Sequence, residues 1–315
     1  MTQHRPEQPP RPPHLQRSPR RVTVAATQFA CGWDRQQNID HAEGLVRRAA
    51  RDGAQVILLQ ELFETPYFCI EQDSRHLRLA TTLADNPAVA RMREVARELA
   101  VVLPVSFFER AGNAYFNSVA IVDADGSVLG IYRKAHIPNG AGYQEKTYFS
   151  PGDTGFRVWN TRFGRLGVGI CWDQWFPECA RAMALMGAEI LMYPTAIGSE
   201  PPPALPVNSR DHWRRTQQGH AAANLMPLVA SNRHGVERSL QDPDNLHLRF
   251  YGSSFIADAT GALVADAPEE GDAVLLAEFD LAQVAELRDN WFVFRDRRPD
   301  LYGPLLTLDG ITSQP

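Results

Sequence analysis

Hydrophobic and polar positions from Val22 onward alternate between strand-like and helix-like patterns. Short apolar runs, often β-branched, predict strands at residues 22–28, 56–59, 101–108, 190–193 and 228–231. Apolar residues at helical spacing predict helices over residues 38–51, 87–99, 177–187 and 209–224, with Asn38 as the cap of the first. Strands that alternate with helices in this way are typical of an α/β protein.

Two hairpins interrupt this alternation in the middle of the chain. Segments 115–123 and 128–133 flank the turn Ala124–Ser127, and segments 156–161 and 165–171 are joined through Phe163–Gly164. Further strands are predicted at residues 253–257, 263–265 and 274–279. Helices interleaved with both hairpins and single strands favour layered, mixed sheets, and the sequence shows no internal repeat, so we expect one α/β domain.

The two ends of the chain differ from this central region. Residues 1–21 are rich in Pro and Arg and lack the apolar core of a signal peptide, so we expect a disordered arm on a cytoplasmic protein. The domain is predicted to span residues 22–288. Residues 289–315 are predicted to form an irregular tail that packs on the domain or on a partner subunit.

Composition excludes several classes of function. The 315 residues include 32 basic and 37 acidic ones, and this formal net charge of −5 argues against a nucleic-acid-binding protein. No apolar run approaches the ~18 residues of a membrane span. The four cysteines, Cys31, Cys69, Cys171 and Cys179, form no C-x-x-C pair, so we expect no metal and no other cofactor.

Candidate chemistry appears where three predicted strands end. Only two of the 32 basic residues are lysines, which suggests that Lys134 occupies a position where a compact ammonium group is needed. Lys134 follows the strand GIYR directly, Glu61 follows VILLQ, and Cys171 follows LGVGI. Because ligands bind at the carboxyl ends of strands in α/β sheets, we expect these three side chains to converge.

The three side chains have complementary chemistry. A thiol is mostly protonated at neutral pH and needs a base or a positive field to become a nucleophile. Glu61 is a candidate base for Cys171, and Lys134 is a candidate source of the field. Lys134 and the main-chain N–H of Trp172 are also candidate donors to an oxyanion.

Four sequence motifs resemble the nitrilase superfamily of carbon–nitrogen hydrolases. LLQELF, YRKAHIP and GICWDQWFPE surround Glu61, Lys134 and Cys171, and GYQEKTYFSPGDTGF contains Glu145. The resemblance covers about residues 22–279 and implies a Glu–Lys–Cys triad with Glu145 as a second carboxylate beside the lysine. It also implies a four-layer αββα sandwich and a homo-oligomer assembled through its helical faces and its C-terminal tail.

The segment after Cys171 bears on the substrate. In ω-amidases and carbamoyl-amino-acid hydrolases of this superfamily an arginine lies a few residues past the cysteine, whereas here the next arginine is Arg181. The phrases IPNGAGYQEKTYFSPGDTGF and YPTAIGSEP resemble those of superfamily members that hydrolyse N-carbamoylputrescine, which implies a cationic ureido amine as the substrate. The candidate substrate-binding residues are Trp172, Asp173, Trp175, Glu178 and Glu200.

Alternative interpretations remain open at the level of sequence. Asp173 could tie the loop after the cysteine, Glu178 could complement a helix dipole, and Glu200 could face solvent. A papain-like hydrolase would use a histidine as its base, for which His136, His212, His220 and His234 are available. A redox-sensing protein would pair Cys171 with Cys179, and another superfamily amidase would take a neutral or carboxylate substrate.

Overall fold

The computed structural model describes residues 18–199 and 209–311. Within these ranges the strands are β1 (Arg21–Gln28), β2 (Val56–Leu58), β3 (Leu103–Ala111), β4 (Ala114–Val122), β5 (Val128–Arg133), β6 (Val158–Thr161), β7 (Gly164–Val168), β8 (Ile190–Pro194), β9 (Leu228–Ser231), β10 (His234–Arg238), β11 (His247–Tyr251), β12 (Phe255–Ala257), β13 (Leu263–Asp266) and β14 (Ala273–Asp280). The helices are α1 (Arg35–Arg51), α2 (Pro87–Leu99), α3 (Pro177–Leu185), α4 (Ser209–Asn224) and α5 (Leu281–Trp291). Short 3₁₀ turns cover Phe68–Ile70, Ser74–Leu79, Glu145–Thr147, Cys171–Trp175, Pro299–Leu301 and Gly303–Leu306.

The first sheet runs in the order β14-β1-β2 and continues into β3-β4-β5. β1 and β2 are parallel, with Val24 opposite Val56. The two halves join because Val102 bridges to Val56 and bonds to the neighbouring main chain of β2. β3, β4 and β5 then form an antiparallel meander, so the sheet is mixed as predicted.

The second sheet has the order β13-β12-β9-β8-β7-β6. Its centre is parallel across β7, β8 and β9, and its edges are antiparallel. The parallel strands are almost fully buried, as expected for runs of apolar residues that are covered on both faces. A separate antiparallel hairpin is formed by β10 and β11, which the sequence pattern did not reveal.

Four layers make up the region Val22–Phe279. The apolar stripes of α1 and α2 pack on the first sheet in one buried core, while α3 contacts β7 and α4 contacts β9 on the outer side of the second sheet. Between the sheets, β2 contacts β8 and β9. This αββα order is the predicted arrangement, and it brings the ends of β2, β7 and β8 close together.

Several predicted boundaries were wrong. α1 begins at Arg35 because Asp34 caps it, with its carboxylate accepting from the N–H of Gln37, so Asn38 is not the cap. The side chain of Asn38 instead binds the loop at Gly32. β7 ends at Val168, three residues before Cys171, because the chain turns there. The tail predicted as irregular from residue 289 is helical to Trp291.

A second compact unit contains residues 18–21 and 280–311. Asp280 caps α5 by accepting from the N–H of Ala282, and it also accepts from the N–H of Arg20. Among the helices in the described ranges, none is both long enough and apolar enough to cross a bilayer.

Candidate active site

Glu61 lies on a loop whose main chain is fixed by hydrogen bonds from neighbouring side chains. The loop follows β2, and the main chain turns at Leu62 with φ +46°, where the Leu62 N–H donates to the hydroxyl of Ser106. The fully buried guanidinium of Arg233, which follows β9, donates to the carbonyl oxygens of Glu61 (2.7 Å) and Leu62 (3.1 Å). Three hydrogen bonds therefore fix the direction in which the Glu61 side chain leaves the main chain.

The charge on Arg233 is balanced within the protein. Its guanidinium also donates to Glu237, and the Glu237 carboxylate accepts from the N–H of Tyr67. Burial opposes the charge on Arg233, but Glu237 outweighs it and the pKa of the guanidinium is raised. The two terminal nitrogens of Arg233 are thus hydrogen-bonded, which together with the Glu237 charge offsets much of the cost of burying the guanidinium.

Lys134 lies between two buried carboxylates. Its Nζ is 2.9 Å from Glu61 Oε1 and 2.8 and 2.7 Å from the two oxygens of Glu145, and all three side chains are fully buried. Burial alone would lower the pKa of Lys134, but Glu145 and Glu61 more than offset it and raise that pKa well above its usual value. Lys134 is therefore a permanent cation at neutral pH.

Glu145 belongs to the short turn Glu145–Thr147 and is oriented by two residues. Besides Lys134, the hydroxyl of Tyr67 donates to Glu145 Oε1 at 2.7 Å. Burial raises the pKa of Glu145 to about 7, against the opposing effect of Lys134 and with a smaller contribution from Glu61. Burial and Glu145 also raise the pKa of Tyr67, so its hydroxyl keeps its proton and acts as a donor.

The carboxylate of Glu61 is used asymmetrically. Oε1 accepts from Lys134 and from the side-chain amide of Asn117 at 2.6 Å. Oε2 is buried and has no hydrogen-bond partner among the described residues. An unpaired buried carboxylate oxygen is costly, and such an atom in a native site is explained when it takes part in the chemistry.

Cys171 begins a 3₁₀ turn in a strained conformation. Its φ of +42° is unusual for a residue other than Gly, and its thiol lies 3.7 Å from the carbonyl oxygen of Ala196, just after β8. Burial and then Glu61 raise the pKa of Cys171 well above its usual value, while Lys134 opposes them. The resting site therefore holds a protonated thiol that is influenced by the charges of Glu61 and Lys134.

The carboxylate of Asp173 makes its hydrogen bonds within the protein, which argues against a role as a substrate ligand. Oδ1 accepts from the main-chain N–H of His136 and lies 2.8 Å from that residue's ring Nδ1, and Oδ2 accepts from the hydroxyl of Tyr132 and the N–H of Ile170. Both oxygens are thus occupied, and the residue is fully buried. The geometry favours the alternative interpretation, in which Asp173 ties the turn at Cys171 to the segment that carries Lys134.

The other candidate substrate-binding residues have different positions. Trp172 is exposed, and its ring contacts that of Trp175, which in turn contacts the ring of His212. Glu178 lies exposed in the first turn of α3, where its charge complements the helix dipole. Glu200 lies outside the described residues.

The histidines do not support a papain-like arrangement. His136 stacks on Phe176 and pairs with Asp173, while burial lowers the pKa of His220 to about 4 beside Tyr193. His212 contacts Trp175 and His234 pairs with the exposed carboxylate of Asp272. Among the charged groups that shift the pKa of Cys171, Glu61 has the largest effect, so Glu61 is the better candidate base.

The cysteines are unpaired throughout the described chain. Cys31, Cys69, Cys171 and Cys179 are all free thiols. Cys179 lies on α3 with its sulfur close to Tyr193, and burial raises its pKa. The proposed redox pair therefore gains no support from the geometry.

One group with the spacing of metal ligands lies outside this site. Candidate ligand atoms of Glu71, Asp73 and His76 all lie within 4.8 Å of one another, which sequence spacing did not indicate. Their polar atoms already have protein partners: Glu71 binds His76 and Ser239, and Asp73 binds Arg75. These hydrogen bonds explain the cluster without an ion.

Comparisons with known proteins agree with this geometry. A family model described as carbon–nitrogen hydrolase matches residues 23–289. An N-carbamoylputrescine amidase from Solanum tuberosum is 59% identical over 291 residues, which cover 92% of this chain and 97% of that protein. A citrullinase from Francisella tularensis subsp. tularensis is 51% identical over 286 residues, which cover 90% of this chain and 98% of that protein.

A solved structure shares the architecture. The crystal structure of a carbon–nitrogen hydrolase from Helicobacter pylori G27 superimposes with a TM-score of 0.86 at 39% identity, covering 91% of this chain and 99% of that one. This similarity confirms the predicted fold class.

Proposed function

Because the chain belongs to the carbon–nitrogen hydrolase family, we propose that this amidohydrolase cleaves the ureido C–N bond of N-carbamoylputrescine. The products would be putrescine, ammonia and carbon dioxide. The observation that carries the chemistry is the unpaired Oε2 of Glu61, in a buried cluster with Lys134 and the Cys171 thiol. The identity of the substrate is supported by the name of the Solanum relative and by its 59% identity.

The first half of the proposed reaction forms a thioester. Glu61 Oε2 accepts the thiol proton as Cys171 sulfur attacks the carbamoyl carbon, since a thiol whose pKa is raised needs a base at the moment of attack. The tetrahedral intermediate collapses, the bond from carbon to the terminal nitrogen breaks, and ammonia leaves with the proton from Glu61. An N-substituted carbamoyl thioester remains on Cys171.

In the second half of the proposed reaction water attacks the thioester, and the Cys171 sulfur becomes the leaving group. Glu61 takes a proton from water, the hydroxyl adds to the thioester, and the sulfur leaves and regains a proton. The released carbamate decomposes to the amine and carbon dioxide. Lys134 supplies positive charge in both halves, and the Trp172 N–H, at the start of its turn, has no acceptor within that turn and is a second donor to the oxyanion.

Lys134 can donate to the oxyanion only if it gives up one of its hydrogen bonds in the resting site. Its Nζ contacts three carboxylate oxygens in the resting site, two of them on Glu145. We propose that one N–H turns from Glu145 to the oxyanion as negative charge develops there. Glu145, which Tyr67 also holds, then keeps the ammonium in place throughout the reaction.

Citrulline is a second candidate substrate, because the Francisella relative named citrullinase is 51% identical over nearly its whole length. Both compounds present the same terminal ureido group to the cysteine. They differ at the far end, where N-carbamoylputrescine carries an amine alone and citrulline carries an amine and a carboxylate. The absence of an arginine between Cys171 and Arg181 favours the substrate without a carboxylate.

A substrate panel with ammonia detection tests the proposal. We expect kcat/KM for N-carbamoylputrescine to exceed that for citrulline and for N-carbamoyl-β-alanine by at least about tenfold, because a carboxylate without a cationic partner is costly to desolvate. Cys171→Ala should remove all activity while the circular dichroism spectrum is unchanged. A preference for either carboxylate compound, or turnover by the alanine variant, would overturn the assignment.

We also propose that the enzyme works as a homo-oligomer in the cytoplasm. The second compact unit exposes large apolar side chains that a monomer would leave in water, namely Trp291, Leu301, Leu305, Leu306, Leu308 and Ile311. Four unpaired thiols support a reducing compartment. Light scattering on the full chain should give a mass of at least twice 35.2 kDa, and a monomeric mass at micromolar concentration would contradict the assembly.

A further inference from the structure

Asn117 connects the base and the lysine of the candidate site. It lies on β4, where its main-chain oxygen accepts from the N–H of Lys134 at 2.9 Å. Its side-chain Nδ2 donates to Glu61 Oε1 at 2.6 Å, and the residue is fully buried.

The hydrogen bonds of Asn117 determine which oxygen of Glu61 is free. Oε1 accepts from both Asn117 and Lys134, whereas Oε2 has no partner in the described chain. A carboxylate whose one oxygen accepts from two donors cannot exchange its oxygens by rotation without losing both bonds. The unpaired oxygen is therefore held in one position, whichever of the two equivalent oxygen atoms occupies it.

Asn117 also supplies a donor without supplying a charge. The groups that already surround Glu61 electrostatically are Lys134, Glu145, Cys171, Tyr67, Cys69 and Arg233. A second cation at position 117 would compete with Lys134, and a carboxylate there would be a third acid in the pocket. A neutral amide gives Glu61 a hydrogen-bond donor and leaves this balance of charge unchanged.

We propose that Asn117 is a positioning residue that fixes Glu61 Oε1 and so directs Oε2 toward the proton of the Cys171 thiol. The proposal rests on the proposed function, because it assumes that Glu61 is the base of an amidohydrolase. It acts through Glu61 and requires no contact between Asn117 and the substrate.

The test compares Asn117→Leu, which keeps a similar volume but has no donor, with the wild-type enzyme on N-carbamoylputrescine. We expect kcat to fall about 10- to 100-fold, as for the loss of one hydrogen bond to a charged group, with KM changed less than threefold. The acid limb of the kcat/KM profile should move to higher pH by about one unit, since the ionised carboxylate loses a donor.

Ser118→Ala is the matched control. Ser118 is the next residue on β4, is equally buried and also donates to a carboxylate, but that carboxylate is Glu109 on the opposite side of the strand. We expect the kcat of this variant to stay within about threefold of the wild type. Its pH profile should stay within about 0.2 pH units of the wild type. Equal effects of the two substitutions would show that Asn117 serves only the strand and would overturn the proposal.

A measurement without substrate separates this proposal from the function itself. The rate at which iodoacetamide alkylates Cys171, followed by mass spectrometry of its peptide, should be about tenfold lower in Asn117→Leu at neutral pH. If the wild-type thiol is alkylated but no ureido compound is hydrolysed, the proposed function fails and the alkylation comparison still decides the role of Asn117. An unchanged alkylation rate together with an unchanged pH profile would overturn it.

Discussion

At the scale of single residues, the cluster is governed by charge rather than by shape. Two carboxylates and one ammonium are fully buried within hydrogen-bonding distance, and the pair of acids alone would repel each other. Lys134 removes that repulsion and keeps Glu61 available as a base. The same charge lowers the cost of a thiolate at Cys171, so one residue serves the base, the nucleophile and the oxyanion.

The first prediction concerns the shape of that cation. Lys134→Arg keeps the charge but replaces a compact ammonium with a planar guanidinium, which cannot place one nitrogen within 2.9 Å of three oxygens on two carboxylates in a closed pocket. We expect kcat to fall at least about 100-fold. Ammonia release measures the rate, and Lys146→Arg, at an exposed position, is the control. Near-normal turnover would reduce Lys134 to a structural role.

The residues that sequence could and could not identify differ in a physical way. Glu61, Lys134 and Cys171 were predicted as candidates because each is a reactive side chain that follows a predicted strand. Asn117, Tyr67 and Arg233 were missed because they act on other residues across the sheets, through contacts that link positions far apart in the chain. An amide inside the apolar strand YFNSVA was the one local signal for Asn117.

At the scale of elements, the site depends on how separate strands end beside one another. The turn at Cys171 follows β7, Lys134 follows β5 on the other sheet, and Asp173 joins the two through Tyr132 and His136. Hydrophobic pattern predicted most of these strands, but not the turn that moves Cys171 beyond the end of β7. That turn depends on bonds between the sheets, which a local pattern does not contain.

The second prediction separates this structural role of Asp173 from substrate binding. Asp173→Asn replaces one carboxylate oxygen with an NH₂ group, which then faces two N–H or O–H donors. Each donor left unsatisfied costs about 1–3 kcal/mol of stability. We expect kcat/KM to fall about 10- to 100-fold for N-carbamoylputrescine and equally for the neutral analogue butylurea, because the turn and not the distal amine is affected.

The contrast with a substrate ligand is direct. If Asp173 held the distal ammonium, the substitution would raise KM for N-carbamoylputrescine alone and leave butylurea unaffected. Glu178→Gln, which removes an exposed carboxylate from the first turn of α3, is the control for a general change in charge near the turn. Thermal unfolding of each variant reports whether the tie also stabilises the fold.

At the scale of the whole molecule, the αββα order and the family followed from motif order along the chain and are confirmed. The β10–β11 hairpin was missed because its strands are only partly buried and carry no continuous apolar pattern. Burial of polar groups in such layers also links stability to pH. His220 on α4 shows this, because its ring lies in the core beside Tyr193.

The third prediction follows from His220. Burial lowers the pKa of His220 from 6.5 to about 4, although Glu178 opposes the shift. Between these pH values the unfolded chain binds a proton that the folded chain does not, so the folded state loses stability as pH falls from 6.5 to 4, by up to about 3 kcal/mol. His220→Gln removes this proton uptake, and urea unfolding at pH 7 and 4.5 should show a shallower decline than in the wild type. His247→Gln, at an exposed position, is the control, and its free energy of unfolding should fall with pH as that of the wild type does. If the stability of His220→Gln falls as steeply as that of the wild type, the buried ring does not set the acid sensitivity of the fold.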